Sequence, residues 1–300
     1  MFSSLFSILF FIASGYLCKR LNIIAAKEAI TLINFVIYVA IPALIIEKIH
    51  TLTLRSELLY FISIGIIGTA IGAFCVLLIG RLMRFSRETL VTMMMMSSFG
   101  NTLFMGLPMV SGLIGEGIMQ EALLYDQIAT MIPVSLLGPV ILAQASPYKV
   151  STKEIASSII RFPPMIALIV AFALQGVPFP EFFVQSLKML GATVTPLALF
   201  AIGLQMVFAS IGREWRPTLI ILVGKMLLAP LTTLAIMLAL GFSLTPSAQN
   251  VILLASTPPM VLASAMVIRA GLNGSLSLAS IALGVVAMLF TAPLLFSIIQ

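Results

Sequence analysis

Ten apolar runs of roughly spanning length recur along this chain, near 3–18, 29–46, 58–80, 89–114, 122–143, 163–180, 183–209, 217–240, 247–268 and 276–299. A helix needs about 20 mostly apolar residues to cross the hydrocarbon core of a bilayer. Inside lipid, every backbone N–H and C=O must find its partner within the protein. A chain built from such runs is therefore expected to be an all-α polytopic membrane protein with ten transmembrane helices. Only 9% of its 300 residues are charged, against roughly 25% in soluble domains. That leaves no room for a large soluble domain.

The few charges set orientation. With the N-terminus outside, the inner loops hold Lys19, Arg20, Lys27, Arg81, Arg84, Arg87, Lys149, Lys153, Arg161, Arg213, Arg216 and Arg269, which is twelve, and the outer side holds Lys48, Arg55 and Lys188, which is three. Positive loops stay inside. The bias supports both the count of ten and a multi-pass chain with both termini outside. The net charge of +6 is accounted for by these loops and does not indicate nucleic acid. Lys19 and Arg20 follow the first apolar run, the wrong order for a cleaved signal peptide.

The longest polar connection runs from Ala143 to Phe162. It divides the chain into 1–143, a cytoplasmic linker at 144–162, and 163–300. Each half has five spans, so the second enters from the opposite side, and related halves form an inverted repeat. The interruptions agree with this. Pro42 lies mid-run in span two and Pro196 mid-run in span seven. Span four breaks at Asn101, 59 residues after Pro42; span nine breaks at Thr257-Pro258, with Thr257 61 residues after Pro196. Matched interruptions in two halves point to a transporter binding site.

A break exposes N–H groups at one helix start and carbonyls at another helix end. In "FGNTLFMGLP", Gly100 suits a left-handed helix C-terminus and Asn101 an N-cap. In "STPPMV", Thr257 reads as a capping hydroxyl followed by Pro258 at the first helical position. Each half-helix start carries about +0.5 of an elementary charge, so an anion is the expected guest. The substrate-binding candidates are Gly100, Asn101, Thr102, Ser256, Thr257 and Pro258. Mutual capping of the two breaks is the structural alternative, and both can hold. Gly106 is expected to allow close helix packing and Pro108 to kink its helix, while Pro42 and Pro196 stand as hinges. Met93–Met96 supply adaptable apolar packing.

Ionisable residues inside spans are functional candidates. Lys225, in "LVGKMLLAPL", is too deep to reach the interface easily; it serves either as an internal counter-charge in place of a cation or as an attractor for a substrate carboxylate. Asp126, early in span five, stands as an interfacial carboxylate or as a coupling carboxylate for Na⁺ or H⁺, and Gln127 beside it as a polar ligand of that coupling group or as helix–helix glue. Arg269 is expected at the inner end of span nine. The chain has one histidine and two widely separated cysteines, Cys18 and Cys75, so neither a metal site, a disulfide framework nor a cofactor motif is indicated. No paired intramembrane carboxylates, P-loop or zinc-protease motif appears, which argues against an enzyme. A ring of charges or repeated carbonyl filter, as in a channel, is not visible either.

Four stretches, "VAIPAL", "GNTLFMGLP", "GKMLLAPL" and "STPPMVLASA", occur in an order that resembles the auxin efflux carrier family of secondary transporters over essentially the whole chain. The resemblance implies two inverted five-helix repeats divided into a scaffold and a transport domain. It also implies that broken helices 4 and 9 cross at the binding site, in a fold similar to sodium/proton antiporters and bile-acid symporters. The implied cargo is a small organic anion, such as malate or malonate in bacterial permeases of the family. The linker is short, which argues against auxin itself. The alternatives are an anion channel and an ion-coupled antiporter of the same fold. The implied partners are the anion and the bilayer, with a homodimer as the assembly considered.

Overall fold

A computed structural model describes residues 2–53, 55–145, 162–206 and 211–300 of the chain. Most of the 144–162 linker, with Lys149, Lys153 and Arg161, lies outside the described residues, as do 207–209 at the end of the seventh run. Twelve helical segments are described: α1 (Phe2–Arg20), α2 (Ala26–Ile49), α3 (Ser56–Leu82), α4 (Arg87–Ser98), α5 (Thr102–Leu113), α6 (Glu116–Leu142), α7 (Pro163–Ala173), α8 (Glu181–Gln205), α9 (Gly212–Ala239), α10 (Pro246–Ala255), α11 (Val261–Arg269) and α12 (Gly274–Ile299). Six of them, α2, α3, α6, α8, α9 and α12, are long and apolar enough to cross a membrane. The fourth and ninth apolar runs are each split in two, as α4–α5 and α10–α11.

Four helices contain one widened, π-type turn: Val36–Ala40 in α2, Thr102–Gly106 in α5, Asp126–Met131 in α6 and Val223–Leu228 in α9. Each is followed, with one residue between, by a proline: Pro42, Pro108, Pro133 and Pro230. Proline lacks an N–H and its ring clashes with the carbonyl four residues back. In all four cases that carbonyl belongs to the widened turn, which moves it aside and lets the helix continue. Pro42 and Pro108 thus act through the turn before them. Pro196 acts differently: α8 bends at Thr193, and Pro196 sits in the first turn after the bend.

The helices gather into two groups. In the first, α1 packs along the second half of α8, and α2 packs on α7 and α8. In the second, α3 lies against α9, α4 and α10, while α12 covers α9 and α11. Glycine sets how closely these helices approach. A methyl at Gly203 would stand 2.1 Å from the Ile12 carbonyl, and one at Gly15 2.1 Å from the Phe200 carbonyl. Both obstacles are backbone and cannot rotate away. Close approach through small residues supplies van der Waals packing where lipid supplies no hydrophobic drive. Gly203→Leu is therefore expected to separate α1 from α8 and cost at least the roughly 1–3 kcal/mol of overpacking. A lower melting temperature in detergent checks it. Gly212→Leu, with nothing within 4 Å of its added carbon, serves as the neutral control.

Between the first group and α5 and α6, a cavity of about 550 Å³ is lined by Glu47, Lys48 and Leu44 of α2, Lys188 and Thr195 of α8, and Pro108 and Ser111 of α5, among others. Lys48 and Lys188 fall on the side that the charge bias assigns to the outside.

Candidate functional site

The two helix breaks meet. Phe99 is extended (φ −119, ψ 116), and Gly100 pairs with Pro259 in an isolated antiparallel bridge. Asn101 N–H donates to the Pro258 carbonyl at 2.8 Å, and Met260 N–H donates to the Phe99 carbonyl at 3.0 Å. Each break thus satisfies backbone groups that the other frees. A broken helix can survive in lipid only when its freed groups are met by protein or water; here part of the answer is the opposite break.

Details differ from the sequence expectation. Gly100 is not left-handed; the positive-φ glycines among the described residues are Gly115, Gly176, Gly241 and Gly271. Glycine is required at 100 for room. A methyl there would stand 2.3 Å from Thr257 Oγ1, 2.8 Å from Lys225 Cε and 3.0 Å from Lys225 Nζ. Thr257 is not the N-cap of α11, nor is Pro258 its first residue: α11 starts at Val261 behind Met260, and no side chain caps it. Thr257 Oγ1 instead donates to the Leu254 carbonyl at 2.8 Å, and Ser256 Oγ to the Leu253 carbonyl at 2.7 Å. Both hydroxyls close the end of α10. Pro258 and Pro259, which have no N–H to satisfy, form the extended link.

Asn101 behaves as expected. Its Oδ1 accepts from Phe104 N–H at 3.3 Å, capping α5. Its Nδ2 is buried without a hydrogen-bond partner. Asn101 lines a small cavity of about 20 Å³ with Ile37, Leu103, Phe104, Met131, Phe162, Met260, Val261 and Leu262. Val261 also borders a second, equally small cavity with Gln205, Met206 and Ile281. A void of that size holds about one water, so the crossover is closed to an organic ligand in this conformation. Gly106 allows the close packing expected of it, since a methyl there would stand 2.6 Å from Leu254 Cδ2.

Lys225 reaches this centre from α9. It is 1% exposed, which rules out snorkelling, and its Nζ donates to the Ala255 carbonyl at 2.6 Å. Ala255 is the last residue of α10, so the ammonium sits at the negative end of that helix dipole. The glycines of α9 and α3 permit this depth: Gly224 meets Val76 of α3, and Gly72 of α3 meets the Gly224 carbonyl.

Asp126 and Gln127 are both fully buried. α6 begins at Glu116, and Asp126 lies ten residues in, about 15 Å of helix. Asp126 Oδ1 accepts from Thr102 Oγ1 at 2.5 Å, and Oδ2 accepts from Gln127 Nε2 at 2.9 Å. Thr102 Oγ1 is also hydrogen-bonded to Thr130 Oγ1 at 3.0 Å. Thr102 therefore serves Asp126. Thr130 was missed by the sequence reading; its spacing of four from Asp126 on one helix face was the available signal. The structure thus brings Gly100, Asn101, Thr257, Pro258 and Lys225 together, and places Thr102, Asp126, Gln127 and Thr130 in an adjoining cluster. Arg269 ends α11, exposed and apart.

The sequence matches the family described as membrane transport protein over residues 1–296. It is 28% identical over 293 residues to an uncharacterised transporter of Methanothermobacter thermautotrophicus, covering 96% of this chain and 95% of that protein. It is 27% identical over 208 residues to an uncharacterised transporter of Methanocaldococcus jannaschii, covering 66% of this chain and 67% of that protein. Helices of spanning length, two breaks joined back to back, and a match along nearly the whole chain agree: this multi-pass protein belongs to the membrane transport protein family, the auxin efflux carriers.

Proposed function

We propose that the chain is a secondary transporter for a small organic anion, with malate- or malonate-like dicarboxylates as the first candidates. On this reading its spans number ten, in two inverted five-helix repeats covering 1–143 and 163–300. The 144–162 linker and the basic loops face the cytoplasm, and both termini lie outside. The observation that carries the proposal is Asn101 Nδ2, a buried donor without a partner, where two broken helices meet; the buried ammonium of Lys225 closes on the neighbouring residue, Gly100. An unpaired buried amide costs free energy, and a carboxylate arriving at the crossover would take it up.

Alternating access follows from the division into two groups. Leu107, Pro108 and Thr195 line the 550 Å³ cavity, and Asn101 does not. Movement of the group bearing the crossover against α1, α2, α7 and α8 would open Asn101 first to one side and then to the other. Pro42 and Pro196, on helices of the opposing group, are the hinges of this reading.

A ligand that binds the native state raises its apparent stability by mass action. Purified protein is expected to gain several degrees in melting temperature with malate or malonate, less with a monocarboxylate, and nothing with chloride at equal ionic strength. No shift with any organic anion would remove the crossover as their site. Saturable uptake into proteoliposomes, without unitary currents, separates this carrier from an anion channel.

A further inference from the structure

We propose that Asp126, Gln127, Thr102 and Thr130 form a binding site for one monovalent cation, Na⁺ by its chemistry, adjoining the crossover. Its role as the ion moved with the anion rests on the transporter reading; its binding does not.

Asp126 is fully buried and has no cationic partner among the described residues. Among the described residues the one salt bridge joins Lys48 and Glu47 on the cavity wall. The other buried charge near the crossover, Lys225, gives its hydrogen bond to the Ala255 carbonyl instead. Hydrogen bonds from Thr102 and Gln127 satisfy two lone pairs of the carboxylate but leave its charge uncompensated. An uncompensated buried charge is strongly unfavourable, so the carboxylate calls for a proton or a bound cation.

A second observation points the same way. Gln127 is fully buried, and its Oε1 has no partner although its Nε2 donates to Asp126. A half-turn of that amide replaces a donor facing the carboxylate with an acceptor. The site then offers oxygen atoms only: the carboxylate, the Gln127 carbonyl, and the hydroxyls of Thr102 and Thr130. Oxygen donors suit hard cations. A single carboxylate balances a single positive charge, and among the described residues no group of three acidic, histidine or cysteine side chains is placed to hold a metal ion of higher charge. Asp126, Gln127 and Thr130 lie in the widened turn of α6, and Thr102 opens that of α5. Such turns are frequent at functional sites. Because Thr102 follows Asn101 directly, a cation here sits one residue from the amide assigned to the anion.

The test uses the full chain in detergent without any organic anion. Melting temperature is measured in NaCl, KCl and choline chloride at equal ionic strength. Na⁺ is expected to raise it by a few degrees, saturably, over choline, with K⁺ giving a smaller shift. Asp126→Asn should remove the Na⁺ shift, and Thr130→Val should weaken apparent Na⁺ affinity at least tenfold. Both changes are close to isosteric, and helix content and elution volume verify the fold; if the asparagine variant does not fold, the valine variant decides. Equal melting temperatures in Na⁺ and choline would overturn the site, as would an undiminished Na⁺ response in either folded variant. A Na⁺ shift without any organic-anion shift would leave this site standing and sink the crossover reading; the reverse pattern would do the opposite.

Discussion

Asn101→Asp is expected to abolish anion uptake while leaving the capping of α5 intact. Aspartate is as good an N-cap as asparagine, so Phe104 N–H keeps its acceptor and α5 keeps its start. The change is confined to the other end of the side chain. There, a buried N–H donor without a partner becomes a second oxygen, and the group as a whole becomes an anion. A hydrogen bond to a charged partner contributes about 1.5–3 kcal/mol. At about 1.4 kcal/mol per factor of ten, losing it alone reduces uptake roughly tenfold to a hundredfold, the range expected for Asn101→Ala. The aspartate adds repulsion of like charges on top. Initial rates in proteoliposomes, normalised to reconstituted protein, measure the effect. Wild-type rates in the aspartate variant would show that the cargo does not meet Asn101.

The second large effect is expected at Lys225. Lys225→Met preserves length and apolar stem but removes the ammonium and leaves the Ala255 carbonyl without its donor. An unsatisfied buried acceptor costs about 1–3 kcal/mol, so some stability is lost. Transport is expected to fall by more than a hundredfold, because the positive charge beside the crossover disappears. The organic-anion shift in melting temperature should vanish with it. Lys225→Arg should not rescue. Gly100 stands so close that even a methyl there would touch Nζ at 3.0 Å, and the flat guanidinium is larger and recognises different geometry. If the methionine variant is less stable yet keeps the anion shift, Lys225 only closes the end of α10.

Much of this was legible in the primary structure because lipid leaves the chain few choices. Helices of spanning length, the interruption at Asn101 and the depth of Lys225 follow from runs of apolar residues and from what breaks them. The interior of the crossover was less legible. Gly100 reads locally as a left-handed helix end, yet its need for glycine comes from Thr257 and Lys225, which are more than a hundred residues away in the chain. Thr257-Pro258 looks like the start of a helix by local rules. Two successive prolines and the backbone of Phe99 make it an extended link instead. Thr130 and the burial of Asp126 were hidden for a related reason. The start of α6 at Glu116 lies in a polar stretch that hydropathy assigns to a loop, so Asp126 seemed shallow. A residue's depth depends on where its helix begins, and that is decided by neighbours rather than by the run itself.

The proline-locked widened turns also act as phase shifters. Each inserts extra backbone into a helix, and an α-helix advances about 100° per residue. Every side chain on one side of the turn is therefore rotated about the axis relative to those on the other. Deleting one residue between Asp126 and Met131 would restore an ordinary helix without shortening the span appreciably, but would swing one half of α6 through more than a quarter circle. Insertions and deletions at these four places would thus re-aim polar groups while leaving the apolar exterior almost unchanged. They offer a lineage of such proteins a short mutational path from one cargo to another.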